Sequence, residues 1–112
     1  MEFMYKLKLI NPLLDDSAWT DKDEEIVSIH FKTLQSLTEK GIVILAGRTI
    51  RKDPSDFGIV ILETESEDEA REYMKKDPAV KQGIMTAELY PFNVALVRTN
   101  TLKSVDKDKN LP

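Results

Sequence analysis

Between Thr20 and Lys40 the apolar residues recur at helical spacing. Advancing about 100° per residue gathers Ile26, Leu37, His30, Leu34, Val27 and Phe31 into one arc of about 140°. Glu24, Glu25, Ser28, Lys32, Gln35, Ser36 and Glu39 fall on the far side. The spacing predicts an amphipathic helix whose inward stripe carries the only histidine of the chain. Thr20 is placed as its N-cap, with Asp23 at the capping-box position and Trp19 set to staple back onto the first turn. Gly41 is placed to end it.

The period changes to two before this helix. Phe3, Tyr5, Leu7 and Leu9 alternate with Met4, Lys6, Lys8 and Ile10, which predicts a strand over Phe3–Ile10. Asn11-Pro12 breaks it, and Leu13–Trp19 reads as a flap that packs down. Ile42–Ala46 is a second, continuously apolar strand, followed by a turn-rich loop over Arg48–Asp56 and a third strand over Phe57–Thr64. Ser66 and Glu69 form the capping-box pattern of a second helix. Asp77-Pro78 ends it, and Asp77 can cap a short turn over residues 78–82 that Gly83 closes. Ile84–Val97 is the fourth strand, bent at Pro91.

The order β-α-β-β-α-β, with right-handed crossovers, predicts an α+β, ferredoxin-like antiparallel sheet with both helices on one face. Residues 1–97 form that domain, and residues 98–112 a polar extension. Ile42–Leu45 and Ile59–Leu62 are apolar at positions facing both ways, so the sheet calls for a second cover. The expectation is a homodimer packed sheet to sheet, or a higher oligomer; the alternative is that the extension folds back over this face, which its polar residues disfavour.

Composition narrows the chemistry. With 112 residues, 41% hydrophobic and 32% charged, the chain is one ordinary globular domain. A net charge of −4 argues against a broad nucleic-acid or anionic-membrane surface. No stretch has the length of a membrane span or a signal-peptide core, so the cytoplasm is the expected location. The absence of cysteine excludes disulfides, thiolate metal sites and cysteine nucleophiles. A single histidine excludes multi-histidine zinc sites within one chain, and the isolated glycines offer no phosphate loop. No cofactor and no metal is expected.

Each candidate residue has two readings. His30 is either a core histidine paired to a buried polar group or a general acid or base, since imidazole titrates near about pH 6.5. Asp77 reads first as the cap of the short turn. Tyr5 and Tyr90 either pack within the sheet or present a hydroxyl to a pocket. Trp19 either staples the helix or closes over a flat substrate. Arg48, with Arg51 and Lys52, either lies on a solvated loop or meets an anionic substrate group.

The ordered segments Phe3–Ile10, His30-Phe-Lys-Thr-Leu34, Gly41–Gly47, Phe57-Gly-Ile-Val60, Glu67–Arg71, Asp77–Gly83 and Tyr90-Pro-Phe92 resemble the YciI-like (YCII-related) family of the dimeric α+β barrel superfamily. The resemblance implies a ferredoxin-like protomer, a dimer with pockets between helices and sheet, and a histidine–aspartate dyad. By position that dyad is His30 and Asp77, with one oxygen of the carboxylate capping the short turn and the other orienting the imidazole. The family's aromatic after the aspartate–proline pair is missing, because Ala79-Val80 stands there. One characterised relative type removes chloride from a hydroxylated chloroaromatic. The expectation is a cofactor-independent enzyme acting by isomerisation or elimination on a small cyclic or aromatic acid. The competing readings are a non-catalytic dimeric module that binds a small molecule and a structural domain associated with other enzymes.

Overall fold

The computed structural model describes residues 1–99. Four strands, β1 (Glu2–Leu9), β2 (Val43–Arg48), β3 (Gly58–Glu63) and β4 (Met85–Phe92), form one antiparallel sheet in the order β2-β3-β1-β4. This is the ferredoxin-like order expected of a split β-α-β pair. Helices α1 (Asp21–Glu39), α2 (Glu67–Lys76) and the single-turn α3 (Pro78–Lys81) cover one face. The flap is two 3₁₀ turns, Asn11–Leu14 and Asp16–Ala18, with Leu13 buried beneath them.

Local chemistry sets the helix ends. Both arms of the Thr20–Asp23 capping box form on α1. At its other end Gly41 adopts φ 80°. The Gly41 N–H donates to Thr38 and the Ile42 N–H to Leu37, so two orphan carbonyls of the last turn are satisfied. The same pattern closes α3, where Gly83 has φ 79° and Ile84 N–H donates to Ala79. Ser66 accepts from the Glu69 N–H at the start of α2. The reciprocal arm of that expected capping box is not made, so one donor of the turn is satisfied rather than two.

The alternating row of β1 points Phe3, Tyr5 and Leu7 at the helices, where they join Leu34, Val43, Val60, Leu62, Ala70 and Met74 in the main core. A second apolar cluster, Leu13, Ile26, Ala79 and Ile84, lies under the flap and α3. On α1, Ile26 belongs to the second cluster and Leu34 to the first. His30, one turn from each, sits at the seam between them.

Three expectations are corrected. The fourth strand stops at Phe92 rather than Val97. Its partner β1 starts at Glu2, opposite Phe92, so there is no ladder beyond it, and the Val94 N–H bonds the Glu2 carboxylate instead. The β2 edge strand is buried only at Val43, because a register irregularity between Val43 and Leu45 turns the strand. The open sheet face is also less apolar than the runs suggest. One row crosses all four strands as Leu45, Ile61, Met4 and Tyr90, but the adjacent rows carry Glu63 and Glu2 on one side and Lys6 and Glu88 on the other. Of the expected 98–112 extension, residues 100–112 lie outside the described residues.

Candidate acid–base site

The site forms where α2 gives way to α3. Asp77 is the C-cap of α2 and the N-cap of α3. Its own N–H donates to Tyr73 and Met74, and its carbonyl accepts from the Lys81 N–H. A proline after it cannot extend α2, since the residue before proline avoids the helical region. The same proline suits the first position of α3, where no N–H is needed. The backbone at Asp77 is therefore held from both sides, and its side chain is aimed inward, 3% exposed.

That carboxylate accepts three hydrogen bonds. The Ala79 N–H donates to Oδ1 at 3.0 Å, which is the helix cap. The ring nitrogen Nδ1 of His30, forty-seven positions earlier, meets the same oxygen at 2.5 Å. The Tyr5 hydroxyl donates to Oδ2 at 2.8 Å. A carboxylate only accepts, so Nδ1 of His30 carries its proton in this contact. Nε2 is then left with its lone pair whenever the ring is neutral. Nε2 makes no hydrogen bond among the described residues, and no buried side-chain polar atom among them lacks a partner. Nε2 thus reaches solvent, through the 12% of the histidine side chain that remains exposed.

Tyr5 is 1% exposed. Its burial, then the charge of Asp77, then the hydrogen bond to it, push the Tyr5 hydroxyl far above the usual tyrosine range. A raised folded-state value means that the folded protein holds the proton after the unfolded chain has released it. The stability this contributes is fully present below about pH 10, the unfolded tyrosine value, and falls above it. Urea unfolding from pH 8 to 11 should therefore show a steeper alkaline loss in the wild type than in Tyr5→Phe. Each unit past about pH 10 adds up to about 1.4 kcal/mol to the difference. Parallel curves for the two proteins would contradict this.

The other sequence candidates stand apart from the pair. Trp19 donates from Nε1 to the Leu13 carbonyl at 2.8 Å and packs on the cluster under the flap. With Asp16, Glu24 and Val27 it lines a shallow concavity of about 300 Å³. Arg48 is exposed at the end of β2, and β3 lies between that strand and Tyr5 on β1. Tyr90 is on the open face, donating to Glu88. Lys52 pairs with Asp16 at the surface. A second concavity, about 450 Å³, is lined by Ile26, Ile29 and Pro78 together with the charged Lys22, Glu25, Lys76 and Lys81. His30 and Asp77 line neither hollow, although both hollows border α1 within one turn of His30. Among the described residues no group of three or more Asp, Glu or His is placed to hold a metal ion, and no helix is long and apolar enough to cross a membrane.

The family resemblance pointed to His30 and Asp77 as one candidate pair, and neither it nor the residue pattern showed that Tyr5 is tied to them. The signal was available: a tyrosine in the same inward row as Phe3 and Leu7 buries a hydroxyl, which must find an acceptor.

A family model described as the YCII-related domain matches residues 5–93. The chain belongs to the YCII-related domain family. The match runs from the middle of β1 to just past the end of β4 and so takes in Tyr5, His30 and Asp77. Among solved structures, this YCII-related chain is similar to a 5-chloro-2-hydroxyhydroquinone dehydrochlorinase from Burkholderia phenoliruptrix AC1100, solved in complex with 2,5-dihydroxybenzoquinone. The TM-score is 0.62 at 20% identity, covering 83% of this chain and 94% of that one. At that identity the likeness shows a shared fold. No curated protein matches the sequence.

Proposed function

We propose that this YCII-related protein is a small cofactor-independent enzyme in which His30 moves a proton to and from a small cyclic or aromatic acid. The observation that carries the reading is the Tyr5–Asp77–His30 chain, which leaves Nε2 of a neutral imidazole facing outward. In that state Nε2 takes a proton from a ring hydroxyl, whose electrons become those of a carbonyl as the proton is returned to a ring carbon. This is isomerisation. Where that carbon bears chlorine, a second hydroxyl deprotonation drives chloride out with the carbon–chlorine pair, a net loss of HCl. Asp77 holds the ring by Nδ1 and stabilises the imidazolium formed in each transfer. The dehydrochlorinase that shares the fold acts on a hydroxylated chloroaromatic, which supports that substrate class here. Trp19 and Arg48 are weaker candidates for contacts to the substrate ring and its anionic group.

The test is a panel of chlorinated and unchlorinated hydroxylated aromatics and quinones, read by chloride release and by absorbance. Turnover that disappears in His30→Asn while the fold is kept supports the enzyme. Binding of panel members with no turnover, unaffected by the substitution, would make the protein a metabolite-binding module instead.

We also propose that two copies pair through the open sheet face. The Leu45–Ile61–Met4–Tyr90 row supports this, since Leu45 is 44% and Tyr90 39% exposed in the single chain. Sedimentation should give a dimer for the wild type and a monomer for Ile61→Lys, because a lysine in the centre of that row buries an unpaired charge on pairing. A wild type that sediments as a monomer would remove the pairing.

A further inference from the structure

We propose that Tyr5 is a positioning residue for the His30–Asp77 pair: its hydroxyl holds one carboxylate oxygen so that the other stays aimed at Nδ1. Its consequence for catalysis rests on the acid–base reading, whereas the positioning itself does not. Capping α3 requires only one oxygen of Asp77, and the two oxygens are equivalent by a half-turn of the carboxylate. Cap and imidazole both use Oδ1. On the helical side only Oδ1 is held, so the hydrogen bonds from that side leave Oδ2 without a donor. The bond from Tyr5 to Oδ2 comes from the opposite side, the sheet, and fixes the carboxylate plane.

The anchor is rigid. β1 is paired with β3 and with β4, with Tyr5 opposite Val60 and Leu89. Its ring belongs to the buried core that also holds Phe3, Leu7, Leu34 and Met74. Phenylalanine would fill this place without a buried hydroxyl, which is costly when unpaired and only modestly favourable when paired. The hydroxyl is therefore explained by Asp77 rather than by packing. It also remains a donor across the neutral range, since its proton is held far above the usual tyrosine value.

A single histidine makes the test direct, because every imidazole nitrogen signal in a ¹⁵N-labelled sample belongs to His30. At a pH where the ring is neutral, the wild type should show the Nδ1–H form and a downfield, slowly exchanging Nδ1 proton. In Tyr5→Phe the ratio of the Nε2–H to the Nδ1–H form should rise about two- to tenfold, the range one ordinary hydrogen bond commands, with faster exchange of that proton. Leu7→Ala, which disturbs the same buried row without touching Asp77, should leave the ratio unchanged. Should Tyr5→Phe not fold, replacing tyrosine by 3,5-difluorotyrosine keeps the shape and alters the hydroxyl alone. It should move the same signals. An unchanged ratio and exchange rate in Tyr5→Phe, or in the fluorinated protein, overturns the proposal. So does an equal change in Leu7→Ala. These readouts need no substrate. A ratio that moves while His30→Asn leaves turnover intact removes the acid–base reading and keeps the positioning; a ratio that does not move while His30 is essential does the reverse.

Discussion

Asp77→Ala is expected to destabilise the protein by about 3–5 kcal/mol, a large part of the roughly 5–15 kcal/mol typical of a domain. The reason is the number of donors it leaves behind. The Tyr5 hydroxyl loses its acceptor inside the core, where an orphaned polar group costs about 1–3 kcal/mol. The Ala79 N–H loses its cap, worth about 1 kcal/mol. Nδ1 of His30 loses the partner that holds the ring at the seam between the two apolar clusters. Asp77→Asn should cost less, about 1–3 kcal/mol, because the amide oxygen still accepts while the amide nitrogen must face one of the three donors. Urea unfolding at neutral pH, followed by circular dichroism with the m-value compared, measures both. A loss below about 1 kcal/mol for alanine would mean that water or a rearranged chain satisfies all three donors, and the network would not be holding the helix junction.

The second large effect is on chemistry. With a turned-over aromatic acid, His30→Asn should lower kcat by about 10²–10⁴, the usual contribution of a positioned acid or base. KM should change far less, since Nε2 acts on the proton in flight and not on the body of the ligand. His30→Ala removes the ring altogether, and added imidazole should restore part of the rate. A variant that keeps its rate would move the proton transfer to another group. One that loses affinity and rate in equal measure through KM would make His30 a binding contact. The two large predictions are separable: His30→Asn leaves the Tyr5 and Ala79 bonds to Asp77 in place, so its stability should stay well above that of Asp77→Ala.

Much of this site was legible from residue order. The inward placement of His30 follows from its spacing to Ile26, Leu34 and Leu37. Asp77 as a cap follows from the proline after it and Gly83 five positions on. Thr20 with Asp23 and Gly41 set the length of α1. These relations join residues at most seven apart, and their physics is contained in the local chain. What alternation along β4 could not reveal was where its ladder ends, because that depends on β1 beginning at Glu2 on the neighbouring strand. The apolar run Ile42–Leu45 likewise predicted a strand buried on both sides. As the sheet edge, with its register shifted after Val43, it is exposed from Ile44 onward.

The sequence by itself determined the order of the elements and most of their caps, and it placed a histidine on an inward stripe and an aspartate at a helix start, because periodicity and capping act over one or two turns; that these two form a pair was what the family resemblance implied. Only the tertiary structure decided that the pair meets. Packing α1 beside the α2–α3 junction brings together residues forty-seven positions apart. It decided as well that Tyr5, seventy-two positions from Asp77, is the third member. The physical reason is the cost of leaving polar groups unpaired in a core. A histidine on an apolar stripe, an aspartate at a buried helix junction and a tyrosine in a buried row each need a partner. The fold satisfies all three at one point while leaving Nε2 open to solvent.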